Sequence, residues 1–152
     1  MIIPFDLDDT MISNMRFPLE VEPIWAKILG VERVRLGTIA LFKELRNNGH
    51  KIYVYTTSYR SAFKIRLMFW GYGISIDYII NQQLHEKILG SKSKSVSKLP
   101  SEFEIDIHVD DSPGVQREGE KYGFNTIIVD IDDVEWGDTV LGKVAVLAEL
   151  KK

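Results

Sequence analysis

The chain reads as a three-layer α/β sandwich, a parallel sheet of about five strands with helices on both faces and no full cap domain. Three observations predict it. Short apolar runs alternate with helical stretches of about ten residues, the pattern of parallel strands joined by helical crossovers. The runs are nearly continuously apolar, as strands are when both of their faces are covered. Acidic and hydroxyl clusters stand at the ends of these runs, where such sheets bind ligands.

Met1–Asp6 is the first strand. Leu19–Leu29 follows as a short helix punctuated by Pro18 and Pro23. Leu36–Asn48 is an amphipathic helix, with Leu36, Ile39, Ala40, Phe42 and Leu45 near helical spacing. Gly49 suits the left-handed residue that ends it. Lys51–Thr56 is the second strand, rich in the strong strand formers Ile52, Tyr53, Val54 and Tyr55. Tyr59–Trp70 is a helix closed by Gly71-Tyr72-Gly73, and Ile76–Ile80 the third strand. Gly90–Ser97, rich in serine and lysine, reads as a mobile loop. Ile105–Asp110 is the fourth strand, Val115–Tyr122 a helix, Thr126–Asp130 the fifth strand and Asp138–Lys151 the last helix. No repeat or linker divides residues 1–152, so one domain is expected, with 11–35 as a small flap.

The 152 residues suffice for one sizeable core. A net charge of -3 gives no global basic surface, so neither nucleic acid nor a membrane is indicated as partner. The absence of cysteine excludes disulfides, thiolate metal sites and a cysteine nucleophile. No apolar stretch approaches a membrane span, and no secretory leader opens the chain, so a cytoplasmic location is expected.

The chemistry-bearing residues lie in Asp6-Leu7-Asp8-Asp9-Thr10, Thr56-Thr57-Ser58, the lysine run Lys92–Lys98, and Asp110-Asp111. In extended chain Asp6 and Asp8 project to one side, and a second acidic pair ends another apolar strand. Carboxylates held this close call for a cation or a shared proton. Oxygen donors suit a hard cation such as Mg²⁺. A hydroxyl and an ammonium suit phosphoryl oxygens. One carboxylate can attack phosphorus while a second protonates the leaving oxygen.

This order of motifs resembles the haloacid dehalogenase-like superfamily, most of whose members are phosphatases. The resemblance spans positions 2 to 130 and implies a Rossmann-like fold. It makes Asp6 the nucleophile and a Mg²⁺ ligand, and Asp8 the general acid and then base, with its carbonyl on the metal. Asp110 becomes the third ligand, and Asp111 ligates through water or orients the site. Thr56, with Thr57 beside it, holds a phosphate oxygen. The site lysine is Lys98 before Lys94, with Lys92 farther back. Only 25 residues separate Thr10 from Leu36. A similar gap precedes the fourth strand. Neither holds a cap domain, which implies an open, capless site and a phosphorylated substrate, small molecule or macromolecule.

Other readings remain open. A receiver-type signalling domain also combines Asp, Thr and Lys at strand ends, but its phosphoacceptor ends a middle strand, where this chain has Thr56. A non-catalytic domain that binds a phosphorylated partner keeps the same residues. His108 reads as a packed or hydrogen-bonded core residue, and His85 as a loop residue near the site. Tyr59, Phe63, Phe69, Trp70 and Tyr72 read as packing. Arg60, Lys64 and Arg66 form a solvated face, from which Arg60 is in reach of a substrate phosphate. Asp130, Asp132 and Asp133 read as turn residues. Pro4 removes a ladder donor from a central strand.

Overall fold

The computed structural model describes residues 1–105 and 107–151. Five parallel strands form one sheet in the order β3-β2-β1-β4-β5. They are β1 (Ile2–Phe5), β2 (Lys51–Tyr55), β3 (Tyr78–Ile80), β4 (Ile107–Asp110) and β5 (Asn125–Ile128). The helices are α1 (Ile24–Leu29), α2 (Thr38–Asn47), α3 (Ala62–Trp70), α4 (Gln82–Leu89), α5 (Pro113–Tyr122) and α6 (Trp136–Leu150). Right-handed crossovers send α2 and α3 to one face and α4 and α5 to the other, because the strand order reverses between β3 and β4. The first three strands build outward from β1, and β4 then adds to its other side. The crevice beyond β1 and β4 is therefore the topological switch point, where such sheets bind ligands.

The core is the apolar face of each strand. Ile3, Phe5, Ile52, Val54 and Val109 are fully buried. Phe5 meets Phe42 of α2 with ring centroids 4.8 Å apart, and Phe42 meets Phe69 of α3 at 6.1 Å. Close approach fixes α5 on β5. A Cβ at Gly119 would lie 2.5 Å from Thr126 Oγ1 and 2.6 Å from the Phe124 carbonyl.

Pro4 is accommodated by register. Among the described residues β1 is matched to β4 at Phe5–Val109, and the Asp6 N–H donates to the Val109 carbonyl at 2.8 Å. Backbone groups alternate sides, so the Pro4 nitrogen faces the start of β4, where at most one ladder bond is lost.

Several boundaries differ from the sequence reading for local reasons. Pro23 delays α1, and Gly37, at φ 93°, delays α2. Ser61 caps α3 by accepting from the Lys64 N–H, which leaves Tyr59 and Arg60 in the preceding loop. The fourth strand begins at Ile107, and Asp106 lies outside the described residues, as does Lys152. Helix α4 has no counterpart in the sequence reading, although Asn81 caps it by accepting from the Leu84 N–H. Gly90–Lys94 is a 3₁₀ turn rather than open loop, and Val96 is buried. Phe69 and Tyr72 pack inside, but Tyr59, Phe63 and Trp70 are exposed.

The 11–35 segment holds α1, which packs on α3, and a Leu19–Arg35 bridge closes the segment on itself. Arg35 is almost fully buried. Its guanidinium donates to the carbonyls of Thr10, Asp130, Ile131 and Asp133, and sits over the rings of Phe17 and Trp136. The turn after β5 thus wraps a cation with backbone oxygen.

Candidate active site

At the switch point the chain leaves β1 at Asp6, and β4 ends at Asp110. Both carboxylates are buried. Beyond Asp6 the loop turns sharply, with Asp9 at φ 62° and the Met11 and Ile12 N–H groups returning to the Leu7 carbonyl. That turn brings Thr10 back over the strand end. Its hydroxyl lies 3.5 Å from Asp6 Oδ2 and 3.3 Å from Asp111 Oδ1, bridging the two acidic motifs. One carboxylate oxygen from each of Asp6, Asp110 and Asp111 falls within 4.8 Å of the others.

Lys98 enters this cluster from the segment before β4. Its ammonium is 2.9 Å from Asp6 Oδ1 and 3.6 Å from Asp110 Oδ2, and the side chain is 3% exposed. Asp110 is held on both oxygens. His108 Nε2 lies 2.9 Å from Oδ2, and the Ser112 N–H donates to Oδ1 at 2.9 Å. Ser112 in turn caps α5. The Asp110 carboxylate only accepts, so the proton of His108 sits on Nε2. Nδ1 finds no partner among the described residues.

Burial sets the charge states. It pushes the Asp6 carboxyl up to about 7; the Lys98 ammonium pulls it down, and Asp110 pushes it further up. Burial also raises Asp110, but His108, Lys98 and the Ser112 N–H outweigh it and leave that carboxyl below its usual range. Burial lowers Lys98, yet Asp6 and Asp110 together lift it above the ordinary lysine value. Burial lowers His108, which keeps the ring neutral.

The donor set fits a hard divalent cation. Three carboxylate oxygens converge without any sulfur, and Asp6 is poorly compensated by one ammonium.

The remaining sequence candidates lie around this cluster. The Asp8 side chain is half-exposed and faces a cavity of about 480 Å³ whose lining includes Asp9, Arg16, Glu32, Arg33 and Arg60. Arg60 reaches both Asp8 oxygens at 3.2 Å and Glu32 at 2.8 Å, which ties the 11–35 segment to the loop after β2. Thr56 is buried at the end of β2, where its hydroxyl accepts from the Ser58 N–H. Thr57 and Lys94 are exposed and line a separate concavity of about 400 Å³ with Ser97 and Glu118. Lys92 pairs with Glu102 at 3.1 Å. Of the three lysines considered, Lys98 is the one in contact with Asp6.

Thr10, part of the first motif but given no role from sequence, and His108, read there as a core residue, both join the acidic cluster. His108 carried a legible signal: it lies two residues before Asp110, on the same side of one strand. His85 lies on α4 rather than in a loop and is fully buried.

No family model matches the chain, and no curated protein matches it in sequence. Among solved structures the fold is similar to that of CbbY from Rhodobacter sphaeroides, a point mutant crystallised with xylulose-(1,5)bisphosphate. The likeness covers 85% of each chain at a TM-score of 0.52 and 13% identity, and it shows the fold. No helix among the described residues is long and apolar enough to cross a membrane.

Proposed function

We propose that this chain is a haloacid dehalogenase-like phosphatase that hydrolyses a phosphate monoester through an aspartyl phosphate on Asp6. One observation carries the reading. Asp6 is a buried carboxylate at the switch point, with an ammonium at 2.9 Å and two further carboxylates converging on the same space. A structural ion pair needs one carboxylate for its lysine. Three carboxylates around one lysine suit a site that receives further positive charge and a phosphoryl group. The resemblance of fold to a protein crystallised with a sugar bisphosphate supports this reading.

In the first step an Asp6 oxygen attacks phosphorus and the bond from phosphorus to the ester oxygen breaks. The Asp8 carboxyl gives its proton to that oxygen, releasing the alcohol. In the second step water attacks the phosphorus of the acyl phosphate. Asp8 takes a proton from that water, and Asp6 leaves as carboxylate with release of inorganic phosphate. Lys98 neutralises charge on the phosphoryl oxygens, and Thr56 holds one of them at the end of β2. Asp6, Asp110 and the Asp8 carbonyl would hold Mg²⁺, with Asp111 beside them. The ion would supply charge that keeps Asp6 ionised and neutralises phosphoryl oxygens. His108 and Ser112 fix the Asp110 carboxylate in place.

The cavity beside Asp8 receives the leaving group. Among the described residues no cap domain is evident, which supports reading the site as open and capless, accessible to a phosphorylated small molecule or macromolecule in a cytoplasmic setting. The test is phosphate release from 4-nitrophenyl phosphate with Mg²⁺. Asp6→Asn is expected to lower the rate by at least about a thousandfold while circular dichroism stays unchanged. Equal turnover in that variant would defeat the mechanism.

A further inference from the structure

The segment that delivers Lys98 has an unusual set of hydrogen bonds. It lies between two 3₁₀ turns, Gly90–Lys94 and Pro100–Phe103, and outside regular structure. Four backbone groups between Val96 and Leu99 are nevertheless met by side chains. The Glu118 carboxylate on α5 accepts from the Ser97 N–H at 2.8 Å and from the Lys98 N–H at 3.1 Å. The Leu99 N–H donates to the Tyr55 hydroxyl at 3.0 Å. That hydroxyl lies 2.7 Å from His85 Nδ1, and His85 Nε2 lies 3.2 Å from the Val96 carbonyl.

The donors can be assigned along this chain. The Val96 carbonyl only accepts, so the neutral His85 ring carries its proton on Nε2 and donates it there. Nδ1 is then an acceptor, and the Tyr55 hydroxyl donates to it while its oxygen accepts from Leu99. Every group is used once. Tyr55 and His85 are both fully buried, and burial keeps the phenol protonated and the imidazole neutral, the states this assignment needs. The relay grips residues 96 and 99, one on each side of Lys98. It also links the lysine to β2 at the residue before Thr56, and the Tyr55 ring itself lies 5.7 Å from the ammonium.

We propose that Tyr55 and His85 are positioning residues that set the Lys98 ammonium against Asp6 through this relay. The inference rests on the role given to Lys98 above. A buried ammonium serving an acidic cluster must be placed within a fraction of an ångström. A segment without ladder hydrogen bonds does not supply that placement alone. Tyr55→Phe keeps the ring and the core packing, and it removes the link between Leu99 and His85.

The test combines two readouts. In ¹⁵N-lysine-labelled, metal-free protein, the Lys98 ammonium is expected to exchange its protons with water about tenfold faster in Tyr55→Phe than in the unmodified chain, as an ordinary hydrogen bond is lost. Affinity for orthovanadate and phosphate release are expected to fall about tenfold in Tyr55→Phe, and by less than about twofold when the same change is made in Lys98→Ala. That non-additivity is what a purely structural role does not produce. Equal losses in both backgrounds, or unchanged exchange at Lys98, would overturn the inference. If no variant turns over substrate or binds vanadate while the exchange rate still responds, the positioning survives and the phosphatase reading falls. His85→Leu should reproduce the effect from the other end of the relay; if it does not fold, Tyr55→Phe carries the test alone.

Discussion

Replacing Lys98 by methionine keeps a long unbranched side chain and removes the only ammonium in contact with Asp6 and Asp110 among the described residues. The two carboxylates then face each other in a buried site. Losing one partner of a buried pair costs about 3–5 kcal/mol. The midpoint of that range, about 4 kcal/mol, sets the expected size of the loss. For a chain of this size, each kcal/mol shifts Tm by about 2–4 °C, so the expected fall is about 8–16 °C. The sign with pH is defined. The variant's carboxyl pair titrates above its unfolded value, so its stability is intact below about pH 4 and is lost as pH rises through the folded value. Asp6 of the unmodified chain itself stands near 7, so the deficit is nearly level from pH 5 to about pH 6.5 and widens as pH approaches 7.5. Calorimetry in excess chelator at both pH values measures it. A fall under about 2 °C at pH 7.5, or a deficit that ignores pH, would refute the electrostatic account of the cluster.

Other predictions concern the frame around the site. Arg35→Met deprives four carbonyls of their donor and should cost about 2–4 kcal/mol, read as a lower urea midpoint at an unchanged m-value. Gly119→Ala forces a Cβ against the Phe124 carbonyl and should destabilise by about 2 kcal/mol or more in the same measurement. Burial holds His85 below the ordinary histidine value, with the Val96 carbonyl opposing and Lys98 adding to the shift. The unfolded chain takes up that proton first, so stability is lost as pH falls below about 6.5, and His85→Gln should flatten this slope in thermal melts between pH 7 and pH 5.

The sheet was legible because each strand is an apolar run ending in a turn or polar cluster, and because parallel strands demand crossover helices. Asp6 and Asp110 were legible for the same reason: they follow such runs directly. Helix α4 was not, since its eight residues carry few apolar positions and follow β3 with only Asn81 between. Lys98 could be ranked from its distance to the fourth strand. Its seat could not be read, because its segment is held by Tyr55, His85 and Glu118 from three different elements. The pairing of Arg60 with Asp8 and Glu32 has the same character, joining residues 28 and 52 positions away. Exposed Phe63 and Trp70 show the limit of composition: an aromatic on a helix near the core need not face it.

The central claim is that Asp6 carries the phosphoryl group. Asp8→Asn leaves Asp6 intact and removes the group that takes a proton from the attacking water. This variant is incubated with acetyl phosphate and Mg²⁺, quenched in acid and reduced with borohydride, and all its proteolytic peptides, Met1–Arg16 among them, are sequenced by mass spectrometry. The account predicts reduction at Asp6 alone, dependent on Mg²⁺ and absent when Asp6 is also asparagine. An unlabelled Met1–Arg16 peptide, or a label on Asp110 or any other carboxylate, would contradict it.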